Sequence, residues 1–358
     1  MQRLAAALLC FFARTSAMIC TSNTTASDVI VGRDLSGQLH VLTGGDSGIG
    51  YETALALAAA NATLIIASYD AAGQGLVAAE NITAATGNAK ITVVEIDLSS
   101  LASVATAAAA IKALVPSGGR IDVLICDAGI GNPTVTLPDG TYALTADGFD
   151  ETMEVNFIGH VALIEGLSPL LHGGGRLIHV SSAASYSACD WGNYPEGCGS
   201  LSSMDAEVRK SPAGTNPEST PASNYGLSKY AMVFHAAEYA INRFGILAFS
   251  LHPGIVATPI TAALPPKTLA EWCASTPPGD PCPLTAAEGA ATPTFLASAT
   301  TAEVAENSGK YFYLCKPEYS VIDEYEAANG PAATLKYQAQ LYNLALVWAG
   351  APPAIEEK

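Results

Sequence analysis

Seven short runs along the chain are apolar at nearly every position: Leu39–Thr43, Ala62–Ser68, Lys90–Ile96, Ile121–Cys126, Arg176–Ser181, Ile246–Leu251 and Lys310–Cys315. Runs of this length without polar alternation suit strands buried on both faces, and the first five are separated by stretches long enough for a crossover helix. Right-handed β-α-β crossovers then predict an α/β fold, a doubly wound parallel sheet of about seven strands with helices on both faces. No internal repeat and no linker divides the chain, so a single domain is expected over residues 37–350, followed by a tail at 351–358. Two stretches break the rhythm. Residues 183–222, rich in Ser, Gly and Pro, follow the fifth run, and residues 259–285, with Pro-Pro twice, follow the sixth. Both leave the carboxyl ends of strands, where ligands bind in such sheets, and are expected to be lid or substrate loops. The helically spaced Leu335, Leu341, Tyr342, Leu344, Ala345 and Trp348 should pack back on the domain.

Composition changes this picture little but excludes much. Of 358 residues 49% are apolar and 14% charged, and mean hydropathy is +0.28, so a core is expected and disorder is not. No apolar run reaches the roughly 18 residues of a membrane span. With 16 Lys and Arg against 33 Asp and Glu, the net charge of −17 repels phosphate backbones and argues against a nucleic-acid partner. The partner expected is a small molecule, and a homo-oligomer is left open.

Residues 1–27 carry Arg3 and Arg14 and no acid, and Leu4–Ala13 is the right length for the core of a secretory signal, with Thr15-Ser16-Ala17 as a cleavage site. A plastid or mitochondrial transit peptide and a plain disordered start are the alternatives. Cys10 and Cys20 fall in this leader region, while Cys126 and Cys315 end apolar runs and read as buried thiols. Cys189 and Cys198 share one spacing with Cys273 and Cys282, in loop-like stretches. Each pair could close its own disulfide, or the two could cross-link. The spacing is too wide for structural zinc, no His accompanies it, and paired loop cysteines favour an oxidising compartment.

Chemistry enters with Thr43-Gly44-Gly45-Asp46-Ser47-Gly48-Ile49-Gly50, between the first strand and the first helix. Gly44 permits a tight turn, Gly48 lets backbone N–H groups approach a pyrophosphate, and Gly50 lets helix and strand pack closely. The helix N-terminus then faces the anion, the arrangement of a Rossmann-like dinucleotide site. Asp97-Leu98, after the third strand, would place a carboxylate beside an adenine. Ser68, Tyr69 and Asp70 end the second strand with no Arg or Lys nearby, and Asp70 would repel a 2′-phosphate. NAD(H) is therefore favoured slightly over NADP(H).

Tyr225-Gly226-Leu227-Ser228-Lys229 puts a phenol and an ammonium one helical turn apart, facing one cleft. The ammonium and an oxidised nicotinamide ring are both expected to lower the phenol's pKa from ~10 toward a useful acid–base range. Ser182 ends the fifth strand, and Asn156 lies in the helix before it. Each has a plainer reading, Ser182 as a cap and Asn156 as a surface amide.

Taken together, the chain resembles the short-chain dehydrogenase/reductase family over about residues 38–320, and within it the branch of retinol dehydrogenase-like and protochlorophyllide reductase-like enzymes. The matching pieces are Thr43–Gly50, Asp97-Leu98, Ala128-Gly129, Asn156 with Gly159-His160, Ser182, Tyr225 with Lys229, and Pro253-Gly254 with Thr258. The resemblance implies an Asn-Ser-Tyr-Lys tetrad acting on an alcohol or carbonyl. Tyr225 would exchange a proton with the substrate oxygen and Ser182 would hydrogen-bond that oxygen. Lys229 would hold the nicotinamide ribose, Asn156 would anchor a water, and Thr258 would meet the carboxamide. Two departures stand out. The family's Asn-Asn-Ala-Gly reads Cys126-Asp127-Ala128-Gly129, losing an amide that braces the sheet, and the Arg of many relatives is Tyr69. A hydrophobic substrate is expected from Trp191 and Trp272 in the loops. A non-catalytic dinucleotide-binding sensor or scaffold, or a light-dependent pigment reductase, is the alternative.

Overall fold

Alternate residues of each central strand enter two different cores. Along β1 (Leu39–Thr43), β2 (Thr63–Ser68) and β4 (Val123–Cys126), residues Val41, Ile65 and Leu124 belong to one apolar cluster, and Leu42, Ile66 and Ile125 to another. That is the consequence of a two-residue repeat in strands covered on both faces. The protein is described by a computed structural model covering residues 20–352, except 133, 135, 136, 138–141, 172, 189–200, 210–222, 244, 263–265 and 275. The remaining strands are β3 (Ile91–Glu95), β5 (Arg176–Val180), β6 (Leu247–Leu251), β7 (Tyr311–Tyr313) and β8 (Lys316–Pro317). They form one eight-stranded sheet in the order β3-β2-β1-β4-β5-β6-β7-β8, parallel throughout except for the antiparallel β7–β8 pair.

The seven expected strands are present, each at or slightly inside its apolar run. β8 is the addition, a two-residue edge after a turn in which Leu314 and Cys315 take positive φ. Helices α1 (Gly48–Ala59) and α2 (Leu76–Thr86) cover one face together with Ala291–Ser298. Helices α3 (Leu101–Leu114), α4 (Gly159–Leu167), α5 (Ser223–Asn242) and α6 (Pro331–Trp348) cover the other. The expected tail helix packs here through Leu341, Tyr342, Ala345 and Trp348. Part of the 183–222 insertion is also structural. Helix Leu201–Val208 buries Met204 and Val208, and its Asp205 accepts the Trp348 indole N–H at 2.7 Å.

At the N-terminus, residues from 20 onward pack on the fold, ahead of the expected domain start at 37. Ala26 and Val29 are buried in a short helix capped by Thr25, and Cys20 is joined to Cys315. Cys315 is thus not a free thiol, because the chain after β7 turns it toward the incoming N-terminal segment. Cys273 and Cys282 close their own loop, and Cys126 is a free buried thiol. Leu4–Ala13, Cys10, the Thr15-Ser16-Ala17 site, Cys189, Trp191 and Cys198 lie outside the described residues. Among the described residues no helix is long and apolar enough to cross a membrane.

The Cys20–Cys315 bond spans 295 residues of sequence. A bond of that kind restricts the unfolded chain, so Cys20→Ser should lower stability by roughly 2–4 kcal/mol in denaturant melts under oxidising conditions. Under reducing conditions the variant and the parent should melt alike.

Candidate active site

The order of the sheet reverses between β1 and β4, and the crevice that this opens lies at their carboxyl ends. From β1 the chain enters the glycine turn. Gly44 has φ +70°, and a Cβ there would lie 3.0 Å from Ala128 Cα, so only glycine lets this turn close against the segment after β4. A Cβ on Gly50 would lie 2.2 Å from Gly44 O, which is why α1 can start so near its own strand. Gly48 faces Thr258 across the crevice, the position of a Cβ being 3.5 Å from Thr258 Cγ2. Ser47, at the N-cap, makes no side-chain capping bond, so its side chain leaves the start of α1 open to an anion.

Behind the turn, Thr43 is a hub. Its hydroxyl accepts the backbone N–H groups of Asp127 at 3.0 Å and Ala128 at 3.1 Å and lies 2.9 Å from His160 Nε2. His160 Nδ1 is 2.7 Å from Asn156 O. A carbonyl only accepts, so Nδ1 carries the proton and Nε2 receives the Thr43 hydroxyl hydrogen. Burial pushes the His160 pKa down to about 4, which keeps the ring neutral. The bracing expected to suffer from the loss of an amide at Asp127 is thus carried by Thr43 and His160. Thr43 is fully buried, so it works behind the turn.

At the end of β2, Tyr69 is 76% exposed. Asp70 caps its own turn, accepting from Gly73 N and Gln74 N at 3.0 Å each. Sequence reasoning missed Asp46, whose carboxylate accepts the Ser68 hydroxyl at 3.0 Å and brings a second negative charge to this corner. Asp97 holds Ser99 through its backbone N–H and hydroxyl, and Leu98 lends its backbone to close packing against Gly159.

The four tetrad positions converge. Ser182 caps the short 3-10 helix Ala183–Ser187, accepting from Ala184 N at 3.1 Å, and its side chain is close enough to Tyr225 to favour the phenolate. The plain reading of Ser182 as a cap therefore holds. Lys229 is buried, donates from Nζ to Val180 O at 2.9 Å, and lies 5.6 Å from the centre of the Tyr225 ring. Ser181 Oγ donates to Lys229 O at 2.7 Å, which fastens α5 to the end of β5. Asn156 sits in a single π-helical turn, Glu154–Ile158. Its side chain accepts from Ile130 N at 2.8 Å and donates to Ile130 O and Ser228 Oγ, so it clamps the segment after β4 to α5. This is not the surface amide of the plain reading.

Burial pushes the Tyr225 phenol up, the Ser182 hydroxyl opposes this, and Asp127 adds to it. In the protein alone the phenol is therefore held protonated rather than lowered by Lys229. Two residues were missed beside the site. Tyr311 donates its hydroxyl to Ser182 O at 3.1 Å, and His252, before Pro253-Gly254, stacks on Tyr313 with ring centres 4.1 Å apart. The β7 pattern showed these tyrosines only as strand residues. Gly254 has φ +88° and packs against Leu284, whose backbone pairs with Ile255 and Ala257. Among the described residues no three His, Cys, Asp or Glu side chains gather to hold a metal ion.

Comparison with known proteins agrees with this geometry. The short chain dehydrogenase family model matches residues 38–195. A “Probable oxidoreductase” of Streptomyces antibioticus is 32% identical over 289 residues, which is 78% of this chain and 85% of that protein. This chain belongs to the short-chain dehydrogenase/reductase family. A WW domain-containing oxidoreductase of Gallus gallus is 35% identical over 162 residues, 45% of this chain, and only 36% of that relative's length is spanned. The crystal structure of an uncharacterized protein from Mycobacterium Paratuberculosis superposes with a TM-score of 0.60 at 25% identity, covering 92% of this chain and 98% of that one. The names of these relatives place the chain in the family without choosing a branch.

The residues present fit a nicotinamide dinucleotide. The Gly44 and Gly48 backbone and the head of α1 would hold the pyrophosphate, Lys229 and Tyr225 the nicotinamide ribose, and Thr258 the carboxamide. Thr43→Val keeps the shape but leaves two backbone N–H groups without their acceptor. It should lower stability by roughly 2 kcal/mol or more and weaken NADH binding, as read by denaturant melts and nucleotide fluorescence titration.

Proposed function

We propose that this chain is a nicotinamide-dependent oxidoreductase interconverting an alcohol and a carbonyl group, with Tyr225 exchanging the proton of the substrate oxygen. The observation that carries this reading is the convergence of Tyr225 and Ser182 with the buried Lys229 ammonium, which lies one turn of α5 away, 5.6 Å from the Tyr225 ring. A binding module has no use for that set. When bound, the nicotinamide ring supplies or takes up the hydride exchanged with the substrate carbon. Everything else falls to the chain. Ser182, fixed by the Ala184 N–H, directs its hydroxyl at the substrate oxygen and steadies the charge that develops there. Tyr225 donates its proton to that oxygen in reduction and withdraws it in oxidation. Lys229 holds the ribose, and its positive charge offsets the cost of phenolate. Asn156 acts as a positioning residue, holding the turn after β4 against α5.

For the cofactor, the corner at β2 supports NAD(H) over NADP(H), since Asp46 and Asp70 are both acidic and no basic residue stands between Thr63 and Glu80. The half-buried Trp272, in the segment after Thr258, is consistent with a hydrophobic substrate. The disulfides Cys20–Cys315 and Cys273–Cys282 support a secretory or lumenal location over the plastid or mitochondrial alternative.

Screening alcohols and carbonyls with both nucleotides, followed by absorbance of the reduced nicotinamide, tests the reading directly. Tyr225→Phe should lose turnover by at least 10²-fold, within the usual range of an acid–base group, while NADH affinity stays nearly unchanged. Retained turnover would remove Tyr225 from proton transfer.

The direction of the Tyr225 shift also gives a pH dependence. Because its pKa is raised, the phenol stays protonated through neutral pH. Carbonyl reduction, which needs the acid, should therefore hold steady there and fall only in alkali. Alcohol oxidation, which needs phenolate, should rise toward alkali, and initial rates in both directions would show this.

A further inference from the structure

Two serines in succession leave the carboxyl end of β5, and each is held from a different element. Ser181 makes the last bond to β6, its N–H donating to Leu251 O at 2.7 Å, and its hydroxyl donates to Lys229 O on α5. Ser182 follows with extended backbone, φ −159° and ψ 154°, and begins the 3-10 turn Ala183–Ser187. Its hydroxyl accepts the Ala184 N–H at 3.1 Å, and its carbonyl accepts the Ser185 N–H at 3.0 Å. A carbonyl oxygen has a second lone pair. Here the Tyr311 hydroxyl takes it, donating to Ser182 O at 3.1 Å.

Tyr311 reaches that carbonyl from β7, two strands away across β6. It is buried, in register with Ser250 of β6, and its own carbonyl accepts the Glu318 N–H at 2.8 Å from the chain just after β8. Its ring meets the edge of Tyr186 in the same 3-10 turn, with centres 6.0 Å apart, and lies tilted beside His252 at 5.5 Å. The Tyr186 hydroxyl donates in turn to Tyr319 O. Both ends of the turn are thus tied to the chain around β7 and β8, Ser182 through its carbonyl and Tyr186 through its ring and hydroxyl. The other side of the turn abuts α5, where a Cβ on Gly226 would lie 3.0 Å from Ala184 O, at the residue next to Tyr225.

We propose that Tyr311 is a positioning residue for Ser182: bonded to the Ser182 carbonyl and packed on Tyr186, it clamps the 3-10 turn against α5 and so fixes where the Ser182 hydroxyl points. Without the Tyr311 hydroxyl the Ser182 carbonyl keeps only the bond from Ser185, and the turn is free to swing away from α5. One neutral hydrogen bond shifts an equilibrium by up to about tenfold, enough to choose between two orientations of a side chain. Tyr311 acts through Ser182, and its bearing on turnover rests on the oxidoreductase reading.

The Ala184 N–H reports on the hydroxyl that accepts it, and the Ser185 N–H on the carbonyl. Amide hydrogen exchange read by NMR, in the full-length protein without nucleotide, compares the parent with Tyr311→Phe, which keeps the ring and loses the donor. Exchange at Ala184 and Ser185 should quicken by up to about tenfold while the amides of β5 hold steady, and Ser182→Ala marks the full loss at Ala184. Unchanged exchange at both positions overturns the proposal. An equal rise along β5 also overturns it, since the effect would then be one of general stability. Should Tyr311→Phe not fold, the parent decides: the Tyr311 hydroxyl proton should exchange slowly and show its contact with Ser182, and a hydroxyl proton without that contact overturns the proposal.

Turnover of a substrate found by the screen gives a second readout. Tyr311→Phe should lower kcat by about tenfold with NADH affinity unchanged, and should lower it no further in a Ser182→Ala background, because residues acting through one group do not add. A full second loss in that background overturns the proposal. A parent that turns over none of the compounds sinks the oxidoreductase reading instead, and the amide measurement still decides the role of Tyr311.

Discussion

A parallel sheet whose strand order reverses must leave a crevice at the reversal, and every polar group that reaches its floor has to be satisfied from within the protein. Here the floor is held by one hydroxyl. Thr43 closes β1, accepts the two N–H groups that follow β4, and through His160 reaches the carbonyl of Asn156. The glycine turn, the segment after β4 and the helix carrying the tetrad amide are therefore registered to one another by a single side chain. The Gly44–Ala128 and Gly129–Lys229 approaches are possible only because that registration holds.

On this floor the site sets burial against charge. Removing a phenol and an ammonium from water favours the neutral form of each, and the two effects work in opposite directions on a reaction that needs a positive lysine and an ionisable tyrosine. Ser182 favours phenolate at the tyrosine, and Asp127 opposes it. The phenol consequently rests as an acid in the unliganded protein, and a positive charge arriving near it changes its character.

The architecture was readable because strands covered on both faces must be apolar throughout. Each of the seven runs became a strand, whereas Lys316–Pro317, two polar-edge residues after a tight turn, offered no pattern to read. Tyr225, Lys229, Ser182 and Asn156 were legible from spacing and residue type. Their partners were not: Thr43 with His160, Asp46 with Ser68, and Tyr311 with Ser182 join elements far apart in sequence, and nothing local marks them. The Cys20–Cys315 pair escaped for the same reason, its halves lying at opposite ends of the domain, and with it the contribution of residues 20–36 to the core. The direction of the Tyr225 shift in the protein alone was not legible, because sequence shows a neighbouring charge but not the burial that opposes it.

That same pair of sulfur atoms has a mechanical consequence. Cys315 stands between the last two strands, and Cys20 precedes the first helix, so the bond turns nearly all of the described chain into one covalent ring. Tension applied to the polypeptide outside the ring passes from one sulfur to the other and bypasses the hydrogen bonds among β1 to β7. The crevice and its tetrad lie inside the ring.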